Sequence, residues 1–200
     1  MIDVVLFDLG GVLVRLGGVD EFGALIGQRD EARVWSTWLA CPEVRRFERG
    51  HCTPGEFGRG MVERYGLELE PDEFLKRFCA WPKGLFSGAA ELVRGLAPGI
   101  RRGCLSNTNA LHWGQQLDSP TLSGLFDHTF LSHQMGLVKP DCETYLHVIE
   151  VLGCAPERIL FLDDNQPNVD AARSCGLDAE RTLGPDAARA LLAGRGLLRG

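Results

Sequence analysis

The sequence predicts an α/β protein, a doubly wound parallel sheet of Rossmann-like form with an inserted α-helical cap. Two observations carry this. Val4–Phe7 and Ile159–Leu162 are short, unbroken apolar runs, the pattern of strands buried on both faces of a parallel sheet. From residue 84 onward, strand-like and helix-like stretches alternate, whereas residues 17–83 show helical periodicity with few strand-like runs. The expected division is a core of residues 1–16 and 84–200 and a helical cap of 17–83.

The first strand is Val4–Phe7, and Gly10-Gly11 follow where the backbone must turn sharply. In the cap, Trp35, Trp38 and Leu39 mark one helix. Thr53-Pro54-Gly55-Glu56 reads as a capping box with Pro at the first helical position, followed by Phe57, Met61 and Tyr65 at four-residue spacing up to Gly66. Another helix starts at Pro71 and carries Phe74, Leu75 and Phe78. Beyond the cap come a helix over 87–96, a strand into Ser106, a strand near 129–131 and a helix over 141–152. Strand Ile159–Leu162, a helix over 167–175 and a terminal helix over 185–198 complete the series.

Composition narrows the function classes. Lys plus Arg number 21 against 27 Asp plus Glu, a formal charge of -6 that argues against sequence-independent binding to nucleic acid or anionic membrane. The N-terminal apolar run is interrupted by Asp3, Asp8 and Arg15 and lacks a basic leader, and no stretch is long enough to span a bilayer. Seven cysteines without a CxxC pair suit reduced thiols, so neither disulfides nor a zinc site are expected and the expected compartment is the cytoplasm.

Four polar sites end the apolar runs: Asp8, Ser106 with Asn107, Lys139, and Asp163-Asp164. In an open parallel sheet, ligands bind outside the carboxyl ends of the strands, where these sites should gather. Asp8 can attack phosphorus to form an aspartyl-phosphate. Adjacent Asp163 and Asp164 repel unless a cation sits beside them, and Mg²⁺, which prefers oxygen ligands, answers that need with Asp8 and a backbone carbonyl. Ser106-Asn107-Thr108-Asn109 offers a hydroxyl, amides and backbone N–H groups to an anion, and Lys139 can neutralise a transferring phosphoryl group. Each element alone has a plainer reading: turn residue, helix cap or surface lysine. Their order together points to metal-assisted phosphoryl transfer on a small phosphorylated molecule.

FDLGGVL at 7–13, LSNTNALHW at 105–113, GLVKP at 136–140 and FLDDNQPN at 161–168 together resemble the haloacid dehalogenase (HAD) superfamily, most closely its small bacterial sugar-phosphate phosphatases acting on α-glucose 1-phosphate. FERG at 47–50 and GEF at 55–57 resemble that family's first cap type. The resemblance implies a Mg²⁺-dependent phosphatase. Asp8 would be the nucleophile and a metal ligand, Gly10 would give its carbonyl to Mg²⁺, and Ser106 and Asn107 would bind phosphate. Lys139 would orient it, and Asp164 would ligate the metal with Asp163 assisting.

One departure stands out. Most phosphatases of this kind carry a second Asp two residues after the nucleophile as general acid/base, and that position here is Gly10. A missing acid costs ~10²–10⁴-fold unless replaced. Glu48, His51 and His112 are the candidate replacements. Two alternatives stay open: a 2-haloacid dehalogenase-type hydrolase, which also lacks the second acid and needs no metal, and a weakened phosphate-binding module. Oligomeric state is not legible.

Overall fold

The computed structural model describes residues 1–114 and 120–199. Its central sheet is five-stranded and parallel: β1 (Val4–Phe7), β4 (Arg101–Ser106), β5 (His128–Leu131), β6 (Ile159–Asp163) and β7 (Asp178–Arg181), in the order β5-β4-β1-β6-β7. A separate antiparallel ribbon pairs β2 (Val14–Leu16) with β3 (Pro82–Leu85).

The apolar runs form strands because both faces of the sheet are covered. Alternate residues of β1 point to opposite sides. Val5 and Phe7 pack with Leu92 and Val93 of α6 (Ala89–Arg94) and with Ala188 and Leu192 of α12 (Gly184–Gly194). Val4 and Leu6 pack with Tyr145 and Val148 of α10 (Cys142–Leu152) and with Val169 and Ala172 of α11 (Gln166–Ser174). All four β1 side chains are fully buried, worth roughly 1.5–3 kcal/mol for each large side chain, and a one-residue slip would exchange the two faces.

Between β2 and β3 run five helices: α1 (Gly18–Leu25), α2 (Glu31–Ala40), α3 (Pro42–Glu48), α4 (Pro54–Tyr65) and α5 (Pro71–Cys79). They bury their own cluster, centred on Phe22, Trp38, Phe47, Phe57, Phe74 and Phe78. Phe47 and Phe57 stack with centroids 4.3 Å apart. The capping box at the start of α4 forms: Glu56 N–H donates to Thr53 Oγ1 at 3.2 Å and Thr53 N–H to Glu56 Oε2 at 2.7 Å. Short helices α7 (Ala110–His112), α8 (Pro120–Ser123) and α9 (Ser132–Met135) follow strands β4 and β5.

Several elements differ from the sequence reading. The β2–β3 ribbon ties together the two crossings into the helical segment, and β3 opens on Pro82, a residue tolerated at the first position of an edge strand. Strand β7 was not anticipated, because Asp178-Ala179-Glu180-Arg181 is charged and only Ala179 of it is buried. The terminal helix ends at Gly194; the chain then turns back, burying Leu197 and bridging Leu198 to Leu96.

Strand β1 lies between β4 and β6, with Phe7 level with Cys104 and with Leu162. One residue further along each strand, Asp8, Leu105 and Asp163 therefore emerge at the same carboxyl edge.

Candidate active site

At that edge Lys139 is the centre of charge. Its Nζ donates to Asp8 Oδ1 at 2.8 Å, Asp163 Oδ2 at 2.6 Å and the Leu105 carbonyl at 3.0 Å, and only 3% of the residue is exposed. Burial alone would lower its pKa, but Asp163 and Asp8 outweigh that and hold the ammonium charged. The surface-lysine reading therefore fails. Asn107 fastens the backbone that carries it: Lys139 N–H donates to Asn107 Oδ1 at 2.9 Å, and Asn107 Nδ2 donates to the Lys139 carbonyl at 3.0 Å. The Asn107 side chain thus positions Lys139 first. Ser106 is buried at the end of β4 and lines the same cavity.

Asp163 is fully buried and its oxygens are well supplied with donors. Besides Lys139 it accepts from Asn165 N–H at 2.8 Å and from Asn168 Nδ2 at 3.1 Å. Asp8, Asp163 and Asp164 each offer an oxygen within 4.8 Å of the others. Burial, and then the neighbouring Asp163, push Asp164 up from the ordinary range; Asp8 is pushed the same way by burial, with Lys139 opposing. Three carboxylates face one ammonium, so the excess charge equals that of a divalent cation, and the all-oxygen donor set suits Mg²⁺. The residues present fit the ion. Gly11 is required beside it: its φ is +70°, and an added Cβ would sit 2.1 Å from Asp164 Oδ2.

These raised carboxylates set a pH dependence. Protons bind them more tightly in the folded than in the unfolded chain, so without metal they stabilise the protein at low pH and lose that contribution as pH rises. Protons and Mg²⁺ compete for the same oxygens. The expected result is a Mg²⁺-induced increase in Tm that is larger at pH 8 than at pH 5. Equal increases at both would show that this trio does not hold the ion.

What stands beside Gly10 is visible only in three dimensions. A Cβ there would lie 2.7 Å from Leu16 Cδ1, so the flexible end of the β2 leucine occupies the space that a second acid would enter and would have to turn aside to admit one. Of the three candidate replacements, the structure brings one to the site in a usable form. Glu48, the last residue of α3, lines the cavity with Asp8 and Lys139. Burial pushes its carboxyl up to about 7 against the opposing charges of Lys139 and Arg45, and the carboxyl end of a helix also disfavours an anion. His51 is exposed and lies outside this cavity. His112 lines the cavity but has no free nitrogen: Nε2 donates to the Phe78 carbonyl at 2.8 Å and Nδ1 lies 3.3 Å from Asn109 Nδ2. Burial lowers its pKa to about 4, so it is neutral and spent as a tie to α5.

The turn carrying Glu48 is clamped to the sheet-bearing part of the chain. Arg45 Nη2 donates to Asp141 at 2.8 and 2.9 Å, and Arg49 donates to the same carboxylate. Gly50, at φ +71°, passes so close to α9 that a Cβ would meet the His133 carbonyl at 2.5 Å. The sequence reading missed Asn168, Asp141 and Gly50. Asn168 at the end of FLDDNQPN and Gly50 at the end of FERG were the available signals, and both needed their partners to be interpreted.

The sequence matches the haloacid dehalogenase-like hydrolase family over residues 2–176. The protein belongs to that family. As a HAD-like hydrolase it is 24% identical over 186 residues to a D-ribitol-5-phosphate phosphatase of Bacteroides thetaiotaomicron, covering 89% of this chain and 90% of the relative. It is 25% identical over 175 residues to a sesquiterpene phosphatase of Aspergillus oryzae, covering 86% and 85%. The chain spans only 33% of the length of a further, longer relative. A solved HAD-family enzyme of B. thetaiotaomicron, in complex with magnesium and inorganic phosphate, superposes with a TM-score of 0.71 at 25% identity, covering 90% of this chain and 94% of that one.

Proposed function

We propose that this HAD-like hydrolase is a Mg²⁺-dependent phosphatase that cleaves a small phosphate monoester through an aspartyl-phosphate on Asp8. The carrying observation is the cluster of Asp8, Asp163 and Asp164 around Lys139 at the floor of the cavity. Asp8, Asp164 and the Gly10 carbonyl would hold the ion, which supplies positive charge to draw phosphate oxygens in and to shield the attacking carboxylate. Asp163, engaged by three donors, positions Lys139 and supports the ion at one remove.

The chain's own residues then divide the work. Asp8 attacks phosphorus in line with the leaving oxygen. Lys139, fixed through Asn107, holds a cation against the phosphoryl oxygens, with Ser106 beside it. Glu48 gives its proton to the leaving alcohol and, once ionised, takes one from the water that hydrolyses the acyl phosphate. The carboxylate trio favours this reading over a haloacid dehalogenase, which has no use for a hard cation.

The test is inorganic phosphate release from a panel of phosphate esters with Mg²⁺ and with EDTA, beside Asp8→Asn. Release is expected only with the metal and only from the unmodified protein. Turnover surviving in Asp8→Asn would sink the covalent route, and halide release from a 2-haloacid in EDTA would favour the dehalogenase.

A further inference from the structure

The cavity above the carboxylate cluster measures about 550 Å³, far more than a phosphoryl group fills, so its walls choose the leaving alcohol. The part of the wall given by the helical segment is mostly apolar. Phe22, Trp35, Trp38 and Leu39 from α1 and α2 line it, together with Phe78 and Trp81, whose rings pack against Trp38. Apart from indole N–H groups, the polar side chains of the helical segment are Glu31 and Ser36, both exposed, and Glu48, which serves as the acid. His112, beside this cluster, has both ring nitrogens engaged and its ring stacked on Phe78 at 4.1 Å.

A second observation concerns surface leucines. Among the described residues few large apolar side chains are strongly exposed, and two of them, Leu16 of β2 at 41% and Leu183 just before α12 at 62%, line this cavity. Leucines left in water cost free energy that a bound apolar group would recover. The sheet edge adds Gln166, Asn168 and Arg181, which donate to Asp170, Asp163 and the Asp164 carbonyl, and Asn165. Against the helical-segment wall a polyhydroxylated leaving group would fare badly, because each hydroxyl buried without a partner costs roughly fivefold or more in affinity.

Resting on the phosphatase reading above, we infer that the substrate is the phosphate monoester of an apolar alcohol, such as a long alkyl or isoprenoid chain, rather than a sugar phosphate. The phosphate would sit against Lys139 and the carboxylate cluster, and the hydrocarbon would run along Trp35 and Leu39 toward Leu16 and Leu183.

The test is kcat/KM with Mg²⁺ for n-alkyl monophosphates from ethyl to decyl, beside ribitol 5-phosphate and α-glucose 1-phosphate. Each added methylene should raise kcat/KM by up to about fourfold until the cavity is filled. The longer esters should exceed both sugar phosphates by more than about 100-fold, the product of a few such steps. Leu39→Asn should flatten the series. A flat series, or a preference for either sugar phosphate, overturns the inference while leaving the phosphatase standing. Absence of release from every ester would instead sink the phosphatase reading. Calorimetry with decylphosphonate and methylphosphonate, neither hydrolysable, then decides the cavity alone: tighter decylphosphonate binding with negative ΔCp supports the inference, and equal affinities overturn it.

Discussion

Lys139→Met is expected to abolish turnover and to destabilise the protein by about 3–5 kcal/mol, the scale for breaking one partner out of a buried ion pair. The ammonium lies 2.8 Å from Asp8 and 2.6 Å from Asp163, and neither carboxylate has much solvent to fall back on. Removing it leaves three acids crowded at one sheet edge. Urea unfolding without Mg²⁺ measures the loss, and adding Mg²⁺ should recover part of it. Lys139→Met combined with Asp163→Asn separates the two roles. The double variant should regain stability, because it removes an uncompensated charge, yet remain inactive. A single variant as stable as the parent would show that Lys139 does not neutralise the cluster.

Glu48→Gln should lower kcat/KM on an alkyl phosphate by ~10²–10⁴-fold, the range for losing a general acid. On p-nitrophenyl phosphate, whose leaving group departs without a proton, the loss should stay within about tenfold. kcat/KM is the parameter to use, because it reports the first phosphoryl transfer and not the later hydrolysis of the acyl phosphate. The pH profile adds an independent check. With its carboxyl pushed up to about 7, Glu48 carries the needed proton below that value and loses it above, so kcat/KM on the alkyl ester should fall as pH rises past neutrality. That limb should vanish in Glu48→Gln. Introducing Gly10→Asp into Glu48→Gln should restore part of the rate, since only the flexible end of the exposed Leu16 stands in the way. Equal losses on both esters would mean that Glu48 shapes the cavity without donating a proton.

Much of this was legible from sequence because it is local. Apolar runs such as Val4–Phe7 and Ile159–Leu162 can be satisfied only by burial on both faces, and the polar residue after each run must then surface at the strand's carboxyl end. That logic located Asp8, Ser106 and the Asp163-Asp164 pair, and the capping box located α4 to the residue. Strand β7 and the β2–β3 ribbon escaped it, because they are short and partly exposed and take their form from neighbours rather than from their own composition.

The rest was decided by contacts between residues far apart in the chain. Spacing could not say that Leu16 occupies the room beside Gly10, or that His112 spends both nitrogens on Phe78 and Asn109. Nor could it say that, of two neighbours in the FERG turn, Glu48 faces the cavity and His51 the solvent. A sequence determines which residues must be buried and which must end a strand. Packing between separately formed layers determines which polar atoms remain free to act, because a hydrogen bond made elsewhere in the fold removes a group from the chemistry as surely as a substitution does.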